Sequence, residues 1–181
     1  MANSRPARIY AGAGHWVSSA GTRHPGGLFR RSPGGGEWQA LSAGLPENVE
    51  ARALAVHPRE PEVLYAGTQD GPYRTTDGGG RWERLGFPDR GAVVWSIAFH
   101  PTRPHIMYVG VAPVGIYRSE DNAASWQKLD SPIDGIQIWS LAVDPEDPET
   151  IFVGTRPEAF RSKNGGRTWE QLSMGVNLQC P

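Results

Sequence analysis

TTDGGGRW, at residues 75–82, combines two threonines, an aspartate and three glycines with a closing tryptophan. Three other stretches repeat this arrangement of turn residues and tryptophan: RSPGGGEW at 31–38, SEDNAASW at 119–126 and SKNGGRTW at 162–169. Their closing tryptophans, Trp38, Trp82, Trp126 and Trp169, are 44, 44 and 43 residues apart. A fixed period of this length is the sequence signature of a repeat architecture. The stretches at 75–82, 119–126 and 162–169 are called the box turns below.

A second block precedes each box turn and keeps the same period. It reads ALAVHPREPEVLYAGT from Ala53, SIAFHPTRPHIMYVGV from Ser96 and SLAVDPEDPETIFVGT from Ser140. Its two prolines fix φ and remove backbone donors, so the chain must turn between two apolar runs. Together with the box turn, each repeat predicts four short antiparallel strands.

A four-stranded unit of this size cannot bury both of its faces alone, and stacking such units around an axis solves the problem. We therefore predict an all-β fold, a β-propeller with about four four-stranded blades in one domain over residues 1–181. The predicted blades span roughly 7–41, 53–85, 96–129 and 140–172. A β-solenoid is the alternative, but four tight reversals in each repeat favour a blade.

The box turns resemble the Asp box, Ser/Thr-x-Asp-x-Gly-x-Thr-Trp, of the bacterial neuraminidase repeat propellers. That group includes sialidases, xyloglucanases, sortilins and a photosystem assembly factor. This sequence departs from the pattern at Asn164, Ala123 and Arg81, and the first stretch has Pro33 where the Asp is expected.

The resemblance implies that the Asp box stabilises its hairpin on the face opposite the ligand site and is not catalytic. The residues that it assigns to this structural role are Thr75, Asp77, Gly79, Trp82, Ser119, Asp121, Trp126, Ser162, Asn164, Gly166 and Trp169.

Net charge, cysteine content and the N-terminal sequence limit the partners, the disulfides and the localisation that we expect. Eighteen basic and nineteen acidic residues give a net charge of -1, which offers no electrostatic excess for nucleic acid or an anionic membrane. The one cysteine, Cys180, excludes an intrachain disulfide. No apolar segment of a secretory signal follows the N-terminus, so we expect a cytoplasmic protein; a mature piece of a longer precursor is the alternative.

The repeat also predicts an open ring. The chain begins in the second strand of its first blade, and only nine residues follow Leu172. We expect either a piece of a longer propeller or a homodimer in which two copies complete one ring, because open sheet edges favour pairing.

One loop differs in length from its equivalents. The connection from second to third strand takes 19 residues in the first blade, from Tyr10 to Phe29, and 8 or 9 residues in the others. The additional segment contains stacking, titrating and cationic side chains: His15, Trp16, Arg23 and His24. We predict that it contributes to a ligand site; a surface insertion without a ligand is the alternative.

Arg52, Trp95 and Trp139 occupy one aligned position, just before the innermost strand of each blade. At the rim of the loop face, two tryptophans would suit stacking on a sugar. The alternative is a position in the core, because Trp95 would lie on the same face of a regular strand as the apolar residues Ile97 and Phe99.

Nothing in the sequence marks a catalytic centre. A two-carboxylate glycosidase needs an acid and a base or nucleophile facing each other, and no pair stands out among the loop carboxylates Glu47, Glu50, Asp89, Asp130 and Asp134. His57, His100 and Asp144 share a turn position in different blades, and His105 lacks partners at ligand spacing, so we predict neither metal nor cofactor. We favour a non-catalytic propeller that binds a protein or carbohydrate ligand; part of a sialidase-like or xyloglucanase-like glycoside hydrolase is the alternative.

Overall fold

A computed structural model of the chain describes residues 7–113, 115–133, 138–156 and 158–172. Its secondary structure confirms the predicted all-β class. The first sheet contains β1 (Ile9–Ala13), β4 (Gly27–Ser32) and β5 (Gly35–Ala40), and the loop between β1 and β4 forms a hairpin of β2 (Trp16–Val17) and β3 (Arg23–His24).

Three four-stranded sheets follow, one for each complete repeat. The second contains β6 (Ala51–Val56), β7 (Leu64–Thr68), β8 (Gly71–Thr75) and β9 (Glu83–Arg84). The third contains β10 (Val93–Phe99), β11 (Met107–Ala112), β12 (Gly115–Ser119) and β13 (Gln127–Lys128). The fourth contains β14 (Ile138–Val143), β15 (Ile151–Thr155), β16 (Ala159–Ser162) and β17 (Glu170–Leu172).

Within every sheet, antiparallel neighbours follow one another in chain order, as propeller blades do. Successive sheets pack face to face through their inner strands, with β6, β10 and β14 adjacent in turn. The ring is not closed within the described residues. No helix long and apolar enough to cross a bilayer occurs in the part of the chain that the structure describes.

Glycines on the second strands let neighbouring sheets approach closely. A Cβ built on Gly67 would lie 2.6 Å from the carbonyl oxygen of Val94 in the third sheet, and one built on Gly110 would lie 2.6 Å from Cγ2 of Ile138 in the fourth. Val94 and Ile138 are fully buried. The repeated glycine is therefore a requirement of blade stacking, because any side chain there would overlap the next sheet.

The box turns share one hydrogen-bond pattern. In the second sheet, Thr75 Oγ1 donates to Asp77 Oδ1 at 2.7 Å, and the amides of Gly79 and Arg81 donate to the Thr75 hydroxyl and the Asp77 carboxylate. The equivalent side-chain bonds join Ser119 to Asp121 and Ser162 to Asn164. These bonds satisfy the amides of a tight turn, so each box turn fixes the hairpin between the third and fourth strands.

Two backbone positions in every box turn adopt positive φ. Glycines occupy both in the second and fourth sheets, whereas Asn122 (φ 57°) and Ala123 (φ 67°) adopt the same conformation in the third. Ala123 is buried against Leu85 and Met107. The replacement of Gly by Ala123 therefore leaves the turn geometry unchanged, at the backbone cost of a left-handed alanine.

The closing tryptophans differ in burial. Trp82 is 2% exposed and packs in the core that joins the first and second sheets, and Trp126 and Trp169 are partly buried in the next two cores. Trp38, which closes the degenerate first stretch at 31–38, where Pro33 replaces the aspartate, is 43% exposed.

Candidate functional site

Three β-bulges place the candidate ligand-binding residues on the inner strands. On β6 the pairing passes from Ala51–Thr68 to Ala53–Gly67, so Arg52 is the extra residue. Trp95 on β10 and Trp139 on β14 are the extra residues of equivalent bulges. Because of these bulges the inner strands begin two or three residues earlier than the sequence predicts. A bulge redirects the side chain that it carries, and it does so here at one position in three successive blades.

These side chains form a continuous stack across three sheets. The guanidinium carbon of Arg52 lies 4.7 Å from the centroid of the Trp95 ring, within the range of a cation–π contact. The Trp95 and Trp139 rings follow, with centroids 5.4 Å apart and planes inclined by 51°. We call Arg52, Trp95 and Trp139 the platform.

Trp139 forms the exposed end of the platform. It is 51% exposed, which excludes the alternative of a core residue for this tryptophan. Trp95 is partly buried, and its indole Nε1 has no hydrogen-bond partner among the described residues. A bulge interrupts the strand's alternation at Trp95, so its parity with Ile97 and Phe99 does not fix the side of the sheet on which it lies.

Glu50 joins the platform to the first-blade insertion. One carboxylate oxygen lies 2.7 Å from His15 Nδ1, and the other accepts a hydrogen bond from Arg52 Nη2. Gln69 fixes the backbone at Glu50 by accepting its amide N–H at 2.7 Å. Glu50 is therefore a positioning residue, whereas the sequence analysis named it only as one of several loop carboxylates.

The insertion itself lies beside the platform. A Cβ built on Gly14 would be 3.5 Å from Arg52 Nη1, so the start of the insertion lies next to the platform. In the hairpin, Trp16 pairs with His24 and Val17 with Arg23. An open cleft of about 360 Å³ is lined by His15, Val17, Arg23 and His24. The structure thus brings the insertion and the platform together on one face.

The box turns lie at the opposite end of the blades. The amide of Gly78 donates to the carbonyl of Glu62, in the turn that follows β6, whereas Arg52 lies at the start of that strand. Asn122 and Gly165 make the same contact with His105 and Glu149 in the next two blades. Hydrogen bonds from the Thr75 hydroxyl and the Arg81 amide hold the pKa of Asp77 below its ordinary value.

Several of the remaining polar candidates are engaged in local structure. Asp89 accepts a hydrogen bond from the Tyr117 hydroxyl, and Asp134 lies outside the described residues. His57, His100 and Asp144 each accept two backbone amides of their own turn. Burial, and next the Arg103 charge, lower the pKa of His100. Within the described ranges, no three His, Cys, Asp or Glu side chains are grouped in a way that could hold a metal ion.

Solved structures share this architecture. An ancestral GH74 enzyme is 22% identical with a TM-score of 0.71, over 83% of this chain and 22% of that one. The GH74 xyloglucanase from Xanthomonas campestris is 18% identical with a TM-score of 0.65, over 82% and 27%. YCF48 bound to D1 peptide is 16% identical with a TM-score of 0.57, over 71% and 42%.

No protein-family model and no curated protein sequence matches the chain. The chain spans about a quarter of the length of the two GH74 enzymes, at 22% and 27%. At these identities the likeness concerns the fold, and the chain is a β-propeller module.

Proposed function

We propose that this propeller module binds a carbohydrate on its loop face and that the platform is the contact surface. The observation that carries the proposal is the stack of Arg52, Trp95 and Trp139, with half of Trp139 exposed at its end. An indole in solvent presents a rigid apolar surface with one polar edge, which suits the apolar face of a sugar ring.

The polar groups around the platform suit the hydroxyls of such a ligand. Arg52 has five N–H donors, of which its bond to Glu50 uses one, and the Glu50 carboxylate has lone pairs beyond those facing Arg52 and His15. A few directed polar groups beside aromatic surface are typical of small-ligand sites. Glu50 keeps the Arg52 guanidinium over Trp95, so the platform is formed before a ligand arrives.

The test is a binding assay with soluble polysaccharides, including xyloglucan because a propeller of this fold is a xyloglucanase. Affinity electrophoresis and calorimetry would compare the wild type with Trp139→Ala and Arg52→Ala. Loss of one stacked aromatic surface is expected to weaken binding by roughly 5- to 150-fold, from about 1–3 kcal/mol of buried side-chain surface.

Trp38→Ala is the matched control for uncharged polysaccharides, because Trp38 is 43% exposed but belongs to the outer strand β5 of the first sheet. It should leave affinity unchanged. Equal losses in the Trp38 and Trp139 variants, or no binding to any polysaccharide, would refute the carbohydrate proposal. Binding only to peptides would assign the platform to a protein partner.

A glycoside hydrolase, to which this chain contributes one part, is the second candidate. The likeness to GH74 enzymes and an aromatic surface on the loop face favour it. Hydrolysis needs two carboxylates about 5–10 Å apart across the scissile bond. Release of reducing ends from xyloglucan, abolished by Asp89→Asn or Glu50→Gln, would support this candidate; binding without release would exclude it for this chain.

A further inference from the structure

The degenerate first stretch carries an arginine where the box turns carry a hydroxyl. Arg31 aligns with Thr75, Ser119 and Ser162, and Pro33 aligns with Asp77. The hydroxyl–carboxylate bond that fixes the other hairpins therefore cannot form here. Instead the β4–β5 pairing is irregular between Arg30 and Ser32, and the Arg31 guanidinium carbon lies 4.8 Å from the centroid of the Trp38 ring.

Three arginines line one open cleft at this hairpin. The cleft has a volume of about 390 Å³ and is lined by Arg8, Arg30, Arg31, Gln39, Glu37 and neighbouring backbone. Arg30 and Arg31 both line it, although adjacent residues of a regular strand face opposite sides. We call this the arginine cleft; it lies at the box-turn end of the blade, since Arg30 Nη1 donates to Gly78 O at 2.8 Å.

The three guanidiniums keep donors for a ligand. Arg30 uses Nη1 on Gly78 and Nη2 on Gln39, and Arg8 uses Nη1 on Glu62. Arg31 Nε is buried and has no hydrogen-bond partner among the described residues. A guanidinium has five N–H donors, so these bonds leave several donors of Arg8, Arg30 and Arg31 for the acceptors of a ligand.

The charge balance of the arginine cleft is positive. Three arginines face the carboxylates of Glu37, which lines the cleft, and Glu62, which pairs with Arg8. A dianionic tetrahedral group offers more acceptors and more charge to several guanidiniums than a carboxylate does, and arginine forks match its geometry.

We propose that the arginine cleft is a second ligand site and binds the phosphate or sulfate group of a larger molecule. It is independent of the platform, which lies at the other end of the blades. Arg31 is the principal ligand, Arg30 and Arg8 complete the charge, and Trp38 holds the Arg31 guanidinium in place. A phosphorylated peptide and a phosphorylated or sulfated sugar both present this chemistry.

The test is calorimetric titration of the protein with inorganic phosphate at constant ionic strength, with sulfate and acetate as competitors. Saturable binding is expected, displaced by sulfate but not by acetate. Hydrogen bonds to charged groups predict that Arg31→Ala weakens phosphate binding by about tenfold or more. Arg161→Ala is the matched control, because Arg161 pairs with Glu170 in the fourth sheet, and it should bind as the wild type does.

Nitrogen-15 NMR of the wild type provides a measurement that needs no variant. The Arg31 Nε–H signal should shift on addition of phosphate, while the Arg161 signal should not. The proposal is overturned by an absence of saturable phosphate binding, by equal affinity in Arg31→Ala, or by an unmoved Arg31 signal. Displacement by acetate as effective as that by sulfate would overturn the assignment to a tetrahedral dianion. With the arginine cleft established, a phosphopeptide and a sulfated oligosaccharide distinguish the two sources.

Discussion

Gly67→Ala tests how the blades are stacked. The added methyl would lie 2.6 Å from the carbonyl oxygen of Val94, 2.7 Å from its Cγ1 and 3.1 Å from Cβ of Ala53. Real carbon atoms do not approach a carbonyl oxygen so closely, and the Val94 backbone cannot yield alone because Val94 of β10 pairs with Val111 of β11. The third sheet must therefore move away from the second.

Two opposing effects determine the change in the free energy of unfolding of Gly67→Ala. Overpacking a well-filled interior costs typically 1–3 kcal/mol, roughly, and replacing glycine by alanine in a strand recovers about 0.5–1 kcal/mol of backbone entropy. The difference is a loss in free energy of unfolding of about 0–2.5 kcal/mol, and because the overlap is with backbone we expect about 1–2 kcal/mol. For a chain of this size, that corresponds to a decrease in melting temperature of roughly 2–8 °C.

The assay is urea unfolding followed by circular dichroism, with Gly154→Ala as the matched control. Gly154 occupies the same position in the fourth sheet, where a Cβ would meet only the flexible Ser140 hydroxyl among the described residues. We expect the control to lose less than about 0.5 kcal/mol, the range of substitutions that break no packing. Equal destabilisation by the two variants would refute the argument that Gly67 exists to admit the next blade.

Four further outcomes follow from burial and charge. Trp82→Ala should lose about 3–5 kcal/mol in urea unfolding, since Trp82 is 2% exposed, whereas Trp139→Ala should lose less than about 1 kcal/mol because half of it is exposed. Gly79→Ala should destabilise the second blade, because φ is +92° and the methyl would lie 2.6 Å from Leu41 Cδ1; a normal melting temperature would contradict this. Because the folded pKa of Asp77 is lowered from its ordinary value of 3.8, its contribution to stability is complete above that pH and decreases as the pH falls towards the folded pKa, so the pH dependence of unfolding should flatten in Asp77→Asn. Glu50→Gln should weaken ligand binding to the platform without lowering the melting temperature, and an unchanged affinity would remove Glu50 from the site.

The architecture could be predicted from the sequence because each blade corresponds to one sequence repeat of 43 or 44 residues. Closing tryptophans and glycines at fixed spacing identify the hairpins. The structure explains the repeated glycine of the second strand, because the next sheet leaves no room for a side chain at Gly67 and Gly110. The position shared by Arg52, Trp95 and Trp139 was also visible in the alignment of the repeats.

What the sequence could not provide is the orientation of those side chains. A bulge adds one residue to an inner strand, so the alternation of a regular strand cannot predict the orientation of Trp95. No turn residue marks the bulge locally; only its recurrence at Arg52 and Trp139 could have suggested it.

Contacts between segments distant in the chain could not be predicted from the sequence either. Glu50 and His15 are separated by 35 residues, and their proximity depends on the path of the first-blade insertion. The arginine cleft lies at the first stretch, where Pro33 replaces the aspartate. That substitution was visible in the sequence, but the cleft that brings Arg8 beside Arg30 and Arg31 was not.

The central claim is that the platform, and not the box-turn tryptophans, meets the ligand. The most direct measurement is nitrogen-15 NMR of the indole Nε1–H signals of all seven tryptophans during titration with the polysaccharide that binds most tightly. The account predicts shifts for Trp95 and Trp139 and unchanged signals for Trp82, Trp126 and Trp169. Shifts confined to the box-turn tryptophans, or a saturated complex in which Trp95 and Trp139 do not move, would contradict it.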